Sequence, residues 1–256
     1  MSLPETTLDA LAQRLDEAAV KRADTPSLAD DVELSVADAY AVQQRLLARR
    51  LERGESFVGV KLGFTSRAKM IQMGVSDVIV GRLTDVMGYT DGDSVGLSTF
   101  IHPKVEPEVA FRLAADVDLD GPSAAIESAV DAVAPAMEII DSRYRDFRFT
   151  YEDVIADNTS AAAYVIGAWQ PLQDVDDLEV RLETPETTAT GSTAAILGAP
   201  TQALHALVDM CRRHRIPLRA GDVVLAGAAT AAVPFTEGVT QCDVAGLGRV
   251  TVRGTK

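Results

Sequence analysis

Two glutamates separated by one residue form the clearest chemical pattern in this 256-residue chain: Glu106 and Glu108 in the segment VEPEVAF. The run favours a β-strand, and alternate side chains of a strand project from the same face, so both carboxylates should lie side by side. Two parallel carboxylates repel each other unless a cation lies between them. A solvent-facing strand edge with alternating acids is the commoner meaning of the pattern, so these two residues alone favour a charged surface.

A third glutamate changes that balance. Glu138 lies in AMEIIDSRY between Met137 and Ile139, where burying an unpaired charge would be costly. Three carboxylates on apolar strands predict a site for a hard cation, and oxygen ligands of this kind suit Mg²⁺ or Mn²⁺. The histidines at positions 102, 205 and 214 offer no better metal site, and we expect a surface or structural role for each.

Two amphipathic helices are predicted before these strands. Residues 3 to 22 carry leucines at positions 8, 11 and 15, which is a helical spacing, and Thr6 or Thr7 is a candidate N-terminal cap. Ser35 can cap a second helix, which should end at Gly54. These segments predict a helical N-terminal unit.

After Gly54 the sequence changes to short apolar runs rich in β-branched residues and separated by Gly, Pro and Asp, which predicts a mostly β region. Helical insertions are expected at about residues 123 to 134 and at 200 to 215, where Pro200 can start a helix. We place a domain boundary near residue 80, with a helical or α+β domain over 1–80 and a β-rich domain over 81–256.

The formal net charge of −14 argues against binding to nucleic acid or to an anionic membrane surface, because most of the protein's field would repel either one. Acids outnumber bases and Arg outnumbers Lys, a composition typical of proteins from salt-loving microbes; a merely acidic bacterial enzyme is the alternative. No stretch approaches the roughly 20 apolar residues of a membrane helix, and the first residues lack signal-peptide features. We therefore expect a cytoplasmic protein.

The two cysteines, Cys211 and Cys242, lie in unrelated contexts without metal-ligand spacing. We expect both to be small buried side chains. A disulfide or a nucleophilic role is the less favoured alternative.

Five segments, in order along nearly the whole chain, together resemble one known family. The chain is similar to the 2-oxopent-4-enoate hydratase / 4-oxalocrotonate decarboxylase family, which belongs to the fumarylacetoacetate hydrolase superfamily. The segments are VGVKLGFTSRAKMIQMGV (58–75), IHPKVEPEVAFRL (101–113), AMEIIDSRYRDFRF (136–149), VIADNTSAAAYVIG (154–167) and LRAGDVVLAGAATAAVPFTEGV (218–239).

The resemblance implies an α+β fold, with a mixed β-roll catalytic domain and a small, mainly helical N-terminal domain, and homo-oligomers. It implies that the three glutamates bind Mg²⁺ or Mn²⁺ and that Lys61 is the active-site lysine. It also implies that Asp157, Asn158 and Ser160 lie near the substrate. From the residues alone, Lys61 could be an ordinary surface lysine that extends along apolar neighbours, and the other three could serve a turn or a cap.

The reaction implied is metal-dependent decarboxylation of a small 2-oxo acid, 2-oxohex-3-enedioate, to 2-hydroxypenta-2,4-dienoate and CO₂, without an organic cofactor. The segments DSRYRDFRF and AGAATAAVP favour this branch, although Ala226 replaces the first Gly of the usual pair. The alternatives are hydration of 2-hydroxypentadienoate or of a longer 2-oxo dioic acid. A non-catalytic subunit that stabilises a partner enzyme, such as a paralogous hydratase, is the alternative from another functional class.

Overall fold

The computed structural model describes residues 2–66, 70–71, 74–75 and 77–256. Within these residues, the α-helices with defined bounds are α1 (Glu5–Lys21), α2 (Val36–Glu52), α3 (Tyr151–Ala156) and α4 (Pro200–His214). The strands are β1 (Phe57–Gly63), β2 (Ile79–Thr84), β3 (Gly88–Thr90), β4 (Ser94–Gly96), β5 (Lys104–Leu113), β6 (Val130–Ile140), β7 (Ala161–Ile166), β8 (Gln170–Pro171), β9 (Glu179–Glu183), β10 (Thr188–Ser192), β11 (Val223–Ala228), β12 (Val233–Pro234), β13 (Gly238–Val244) and β14 (Gly248–Thr255).

The two N-terminal helices form as the leucine spacing predicts, and their apolar faces are buried. Ser35 caps α2 by accepting a hydrogen bond from the Asp38 backbone N–H at 3.1 Å, while the Asp38 carboxylate accepts one from the Ser35 N–H. This reciprocal pair is a capping box. The expected cap of α1 is wrong: the helix begins after Pro4 without a side-chain cap, and Thr6 and Thr7 lie inside its first turn.

The described strands form two sheets. The larger sheet is mixed, with the order β2-β1-β11-β5-β6-β7-β3, and β12 and β8 add to β5 and β6. Its longest pairing joins β5 and β6 in antiparallel register, whereas β1 runs parallel to β11. The smaller sheet has the order β10-β9-β13-β14-β4, and its strands β13 and β14 pack against β6. The expected combination of helices with a mixed β region is therefore confirmed.

One of the two helices expected within the β region differs from the structure. Residues 123–134 do not form one helix: Ser123–Ala129 is a 3₁₀ helix, and β6 begins at Val130. Alanine-rich composition favours a helix here, but pairing with β5 overrides that preference, and Pro135 would interrupt a longer helix. The predicted helix at 200–215 is confirmed as α4.

The expected domain boundary near residue 80 falls inside β2, and β1 before it already belongs to the large sheet. The apolar core also continues across this point, because Leu15 of α1 and Tyr40 of α2 belong to the same buried cluster as Val60 of β1 and Val109 of β5. The helices therefore cover the sheet and share its core.

Candidate metal centre and active site

Three glutamates meet on the neighbouring strands β5 and β6. Glu106 and Glu138 are direct partners in the antiparallel register, and Glu108 lies two residues along β5, so all three side chains share one face of the sheet. Each offers a carboxylate oxygen, and these oxygens lie within 4.8 Å of one another. All three residues are buried, and Glu138 is 0% exposed. The metal-ligand set predicted from sequence is thus brought together.

Lys61 on β1 is a cation that lies beside this cluster. Its Nζ lies 2.9 Å from Glu138 Oε2 and donates a hydrogen bond to the Thr159 carbonyl oxygen at 3.1 Å. Burial by itself lowers the pKa of Lys61, but attraction by the three glutamates outweighs it and raises that pKa. Lys61 therefore stays a buried ammonium, and three carboxylates face it.

Burial and repulsion between neighbouring carboxylates make Glu108 and Glu138 costly to ionise. Burial raises the pKa of Glu108 well above its usual value, and the neighbouring Glu138 carboxylate raises it further. Burial also raises the pKa of Glu138, against the opposing effect of Lys61. Glu108 Oε2 accepts a hydrogen bond from the Gly227 N–H at 2.8 Å, but Glu108 Oε1 and Glu138 Oε1 have no hydrogen-bond partner within the described part of the chain.

These observations fit a divalent cation. Mg²⁺ and Mn²⁺ bind carboxylate oxygens, and Mg²⁺ keeps several positions for water or substrate. Glu108 Oε1 and Glu138 Oε1, which are buried and have no hydrogen-bond partner among the described residues, favour such a ligand, since buried charges are otherwise paired or neutralised. Glu106, Glu108 and Glu138 are the residues that would hold the ion.

A short left-handed turn carries the motif ADNTS toward Lys61. Asn158, Thr159 and Ser160 have φ values of 48°, 54° and 59°, a conformation that side chains other than glycine seldom adopt. The Asn158 side chain holds the turn against β2, because Oδ1 accepts from Arg82 N at 2.8 Å and Nδ2 donates to Arg82 O at 2.9 Å. The turn thereby directs the Thr159 carbonyl onto Lys61.

Asp157 holds the same turn in place by binding Arg143. Its carboxylate, which is fully buried, accepts hydrogen bonds from the Arg143 N–H at 3.0 Å and from the Arg143 guanidinium. Burial raises the pKa of Asp157 to about 6, and Arg143 opposes the rise. Of the three residues expected near a substrate, Ser160 lines the cavity described next, while the side chains of Asp157 and Asn158 are committed to the backbone and to Arg143.

A cavity of about 340 Å³ opens beside the carboxylates. Its polar lining residues include Lys61, Glu106 and Ser160. The remaining wall is mostly apolar and is formed by Phe64, Ile79, Ile140, Phe147, Phe149 and Val154. A ligand with a metal-chelating end and a longer body would fit this shape.

Several contributors to the site were missed in the sequence. Phe147 and Phe149 lie in the segment DSRYRDFRF, where their placement against the cavity depends on long-range folding. Gly81 on β2 is required by close approach: a Cβ there would lie 2.3 Å from Thr159 Oγ1. A glycine inside a strand pattern is a signal of such an approach.

The histidines and cysteines stay outside the cluster. His102 Nε2 lies 2.7 Å from the Ser142 carbonyl oxygen, and His205 contacts Glu127 on the surface. Cys211 and Cys242 are buried and unpaired with each other, as expected. Among the described residues, no helix is long and apolar enough to cross a membrane.

Comparison with known proteins gives the family. The model described as Fumarylacetoacetate (FAA) hydrolase C-terminal matches residues 60–253. The chain belongs to the fumarylacetoacetate hydrolase family. A 4-oxalocrotonate decarboxylase of Pseudomonas sp is 47% identical over 248 residues, which are 96% of this chain and 97% of that protein.

Other members of the family extend the comparison. The structure of 4-oxalocrotonate decarboxylase from Pseudomonas putida G7, complexed with magnesium and adipate, matches with a TM-score of 0.94 and 35% identity, covering 99% of each chain. A 2-keto-4-pentenoate hydratase from Paraburkholderia xenovorans (strain LB400) is 37% identical over 224 residues, which are 85% of this chain and 83% of that protein. The family and fold expected from the sequence are confirmed.

Proposed function

We propose that this protein is a lyase that uses Mg²⁺ or Mn²⁺ to decarboxylate 4-oxalocrotonate (2-oxohex-3-enedioate) to 2-hydroxypenta-2,4-dienoate and CO₂. The observation that carries the proposal is a cavity beside the buried carboxylate cluster, which Lys61 and Glu106 line together with several apolar side chains. Relatives named as 4-oxalocrotonate decarboxylases, which cover nearly the whole chain, support the substrate.

We place the substrate's C1 carboxylate and C2 carbonyl beside the three glutamates and Lys61. Glu106, Glu108 and Glu138 would hold the cation, which when bound supplies Lewis-acid polarisation of the C2 carbonyl. Lys61 offsets part of the carboxylate charge and is held beside Glu138. The Ser160 hydroxyl has no hydrogen-bond partner within the described residues, so it is available to donate to a substrate carboxylate.

The distal C6 carboxylate belongs against the apolar wall. Water stabilises a carboxylate, whereas apolar side chains such as Phe149 do not, so placement there favours loss of the charge as CO₂. The C5–C6 bond breaks, and its electron pair forms the C4=C5 double bond. The C3=C4 pair shifts to C2=C3, and the C2 oxygen takes a proton, which completes 2-hydroxypenta-2,4-dienoate.

The first test uses purified protein, Mg²⁺ and 2-oxohex-3-enedioate. We expect stoichiometric release of CO₂ and formation of the dienol, and we expect a chelator to stop both until Mg²⁺ is restored. Hydration of 2-hydroxypentadienoate without CO₂ release from the dioic acid would instead assign the hydratase reaction, which the 37% identical hydratase supports as the second candidate.

A Glu106→Gln variant tests the ligand assignment. Removing one of three buried carboxylates should weaken Mg²⁺ binding and lower turnover by roughly 100-fold or more, because several kcal/mol of transition-state stabilisation depend on the ion. Glu237→Gln is the matched control, since Glu237 is an exposed glutamate that pairs with Lys256. Full metal-dependent turnover by Glu106→Gln would refute the ligand role.

The complete cluster also favours an active enzyme over a non-catalytic subunit, because all three glutamates and Lys61 are present and converge.

We further propose a homo-oligomer, and a paralogous hydratase as a partner, as the family resemblance implies. Val20 and Val86 are apolar side chains that are 57% and 59% exposed and could be covered by another subunit. Light scattering on the purified protein, alone and mixed with such a hydratase, tests both assemblies.

A further inference from the structure

A second cavity, of about 220 Å³, lies on the opposite face of the large sheet from Lys61. Lys61 pairs with Gly81 in the β1–β2 register, so the next residue, Arg82, points to the other face. This pocket is bounded by α2, by the beginning of β1 and by the segment that follows α4. Its apolar walls are formed by Leu47, Leu51, Phe57, Ile216 and Pro217.

Arg82 lines this pocket as a buried cation that forms no ion pair with the described residues. The residue is only 7% exposed, its Nη1 donates to the Pro217 carbonyl oxygen at 3.2 Å, and its guanidinium lies 4.1 Å from the centre of the Phe57 ring. In the part of the chain that the structure describes, its Nε has no hydrogen-bond partner and its side chain forms no ion pair with a carboxylate. Asp222 attracts it only at longer range.

Arg82 cannot remove the cost of burying its charge by losing a proton, because the guanidinium stays charged in proteins. A buried charge without a partner is costly, and removing it from water is compensated only by an opposite charge with good hydrogen bonds. Arg215, a second cation, lies at the exposed rim of the same pocket. The pocket is therefore locally positive on a protein whose net charge is −14.

We propose that this pocket binds a small organic monocarboxylate with an apolar, ring-sized body. A carboxylate can accept two hydrogen bonds from one guanidinium and would pair Arg82, including its unpartnered Nε. The apolar walls select the body of the ligand, since they offer little to a fully polar anion such as phosphate. The cavity volume suits a single ring with its carboxylate, and the site is separate from the glutamate cluster.

The test uses benzoate as the probe and its neutral amide, benzamide, as the matched ligand control. Binding is measured by ligand-observed NMR and calorimetry on the full chain with Mg²⁺. We expect saturable benzoate binding and at least tenfold weaker binding of benzamide, because the amide loses the charge that Arg82 pairs. Arg82→Gln should weaken benzoate binding by a similar factor.

Two further variants make the result decisive even if Arg82→Gln does not fold. Ala48→Glu, at an exposed position on α2 that lines the pocket, places a carboxylate at the mouth and should abolish benzoate binding while the protein stays folded. Glu106→Gln, at the catalytic cluster, should leave this binding site unchanged. Arg112→Gln, at an exposed arginine paired with Asp131, is the control for overall charge.

Any of the following results would overturn the proposal: no saturable benzoate binding, equal binding of benzamide, or benzoate binding by Ala48→Glu as tight as in the unmodified protein. Loss of benzoate binding in Glu106→Gln would also overturn it, because it would place the ligand at the catalytic cluster. The result of the benzoate-binding test does not depend on whether the enzyme decarboxylates or hydrates its substrate.

Discussion

At the scale of single residues, Lys61 shows how burial changes an ordinary side chain. In water a lysine ammonium needs no partner, but here it lies between Glu138 and the Thr159 carbonyl with 3% of its surface exposed. Attraction by three carboxylates keeps it charged despite burial. In the proposed reaction, Lys61 would stabilise negative charge that develops on the substrate.

We therefore predict that Lys61→Met lowers turnover by about 100-fold or more, as for loss of a group that assists proton transfer or charge stabilisation. Mg²⁺ binding should persist, because the three ligand carboxylates stay in place and lose a competing cation. Initial rates and Mg²⁺ titrations measure the two effects separately. Lys21→Met, at an exposed lysine on α1, is the control, and equal turnover in both variants would contradict the role of Lys61.

The raised pKa values of Glu108 and Glu138 predict a pH-dependent effect of Mg²⁺. In the metal-free protein, the protonated forms favour the fold; this contribution is complete below about pH 4.5 and is lost as pH rises through the raised folded-state values. Mg²⁺ requires the ionised forms, so it should raise Tm more at about pH 8 than at about pH 5.5. Thermal scans with and without Mg²⁺ measure this. Glu106→Gln should reduce the effect at both pH values, and a larger Mg²⁺ effect at the lower pH would contradict the prediction.

At the scale of elements, the turn after α3 joins the sheet to the active site. Asn158 completes two backbone hydrogen bonds of β2, and Asp157 binds Arg143. These bonds hold a left-handed backbone whose cost is roughly 1–2 kcal/mol per residue. The same turn places the Thr159 carbonyl on Lys61 and Ser160 in the cavity. One motif thus contains both a residue that holds the turn in place and a residue that lines the cavity.

Asp157→Asn should destabilise the protein strongly. The change leaves the buried Arg143 guanidinium without its carboxylate, and breaking a buried pair of this kind costs about 3–5 kcal/mol. Urea denaturation measures the loss of unfolding free energy. Asp131→Asn is the matched control, because its partner Arg112 is exposed and such pairs contribute about 1 kcal/mol or less. Similar losses in both variants would show that Asp157 does not anchor the turn.

At the scale of the whole molecule, the net negative charge affects the stability of the fold. The net charge of −14 produces repulsion between acidic surface groups, and the ion pairs of Arg112, Arg219 and Arg249 with aspartates are largely exposed. Exposed pairs of this kind stabilise little. Screening of the repulsion by salt therefore acts on the whole fold.

We predict that raising the NaCl concentration from about 0.1 M to about 1 M increases Tm by several degrees near neutral pH, since the screening length falls from about 10 Å to about 3 Å. Calorimetric scans at fixed protein concentration measure this. The control is the same salt series near pH 4.6, the isoelectric point, where the net repulsion vanishes. An equal salt effect at both pH values would assign the stabilisation to general salting-out.

The sequence by itself determined the features that depend on local spacing. Helices α1, α2 and α4 follow from apolar residues at helical intervals, and the shared face of Glu106 and Glu108 follows from strand alternation. The similarity of ordered segments along the chain was sufficient to predict the family. These inferences succeeded because each depends on residues close together in the chain or on the whole sequence at once.

Only the tertiary structure decided which distant residues meet. Register between β5 and β6 sets Glu138 opposite Glu106, and pairing with β5 turns residues expected to be helical into the start of β6. The turn at Asn158 separates Ser160, which lines the cavity, from Asp157, which holds Arg143. Strand pairing and burial of charge are energies of contacts between distant segments, so local spacing does not contain them.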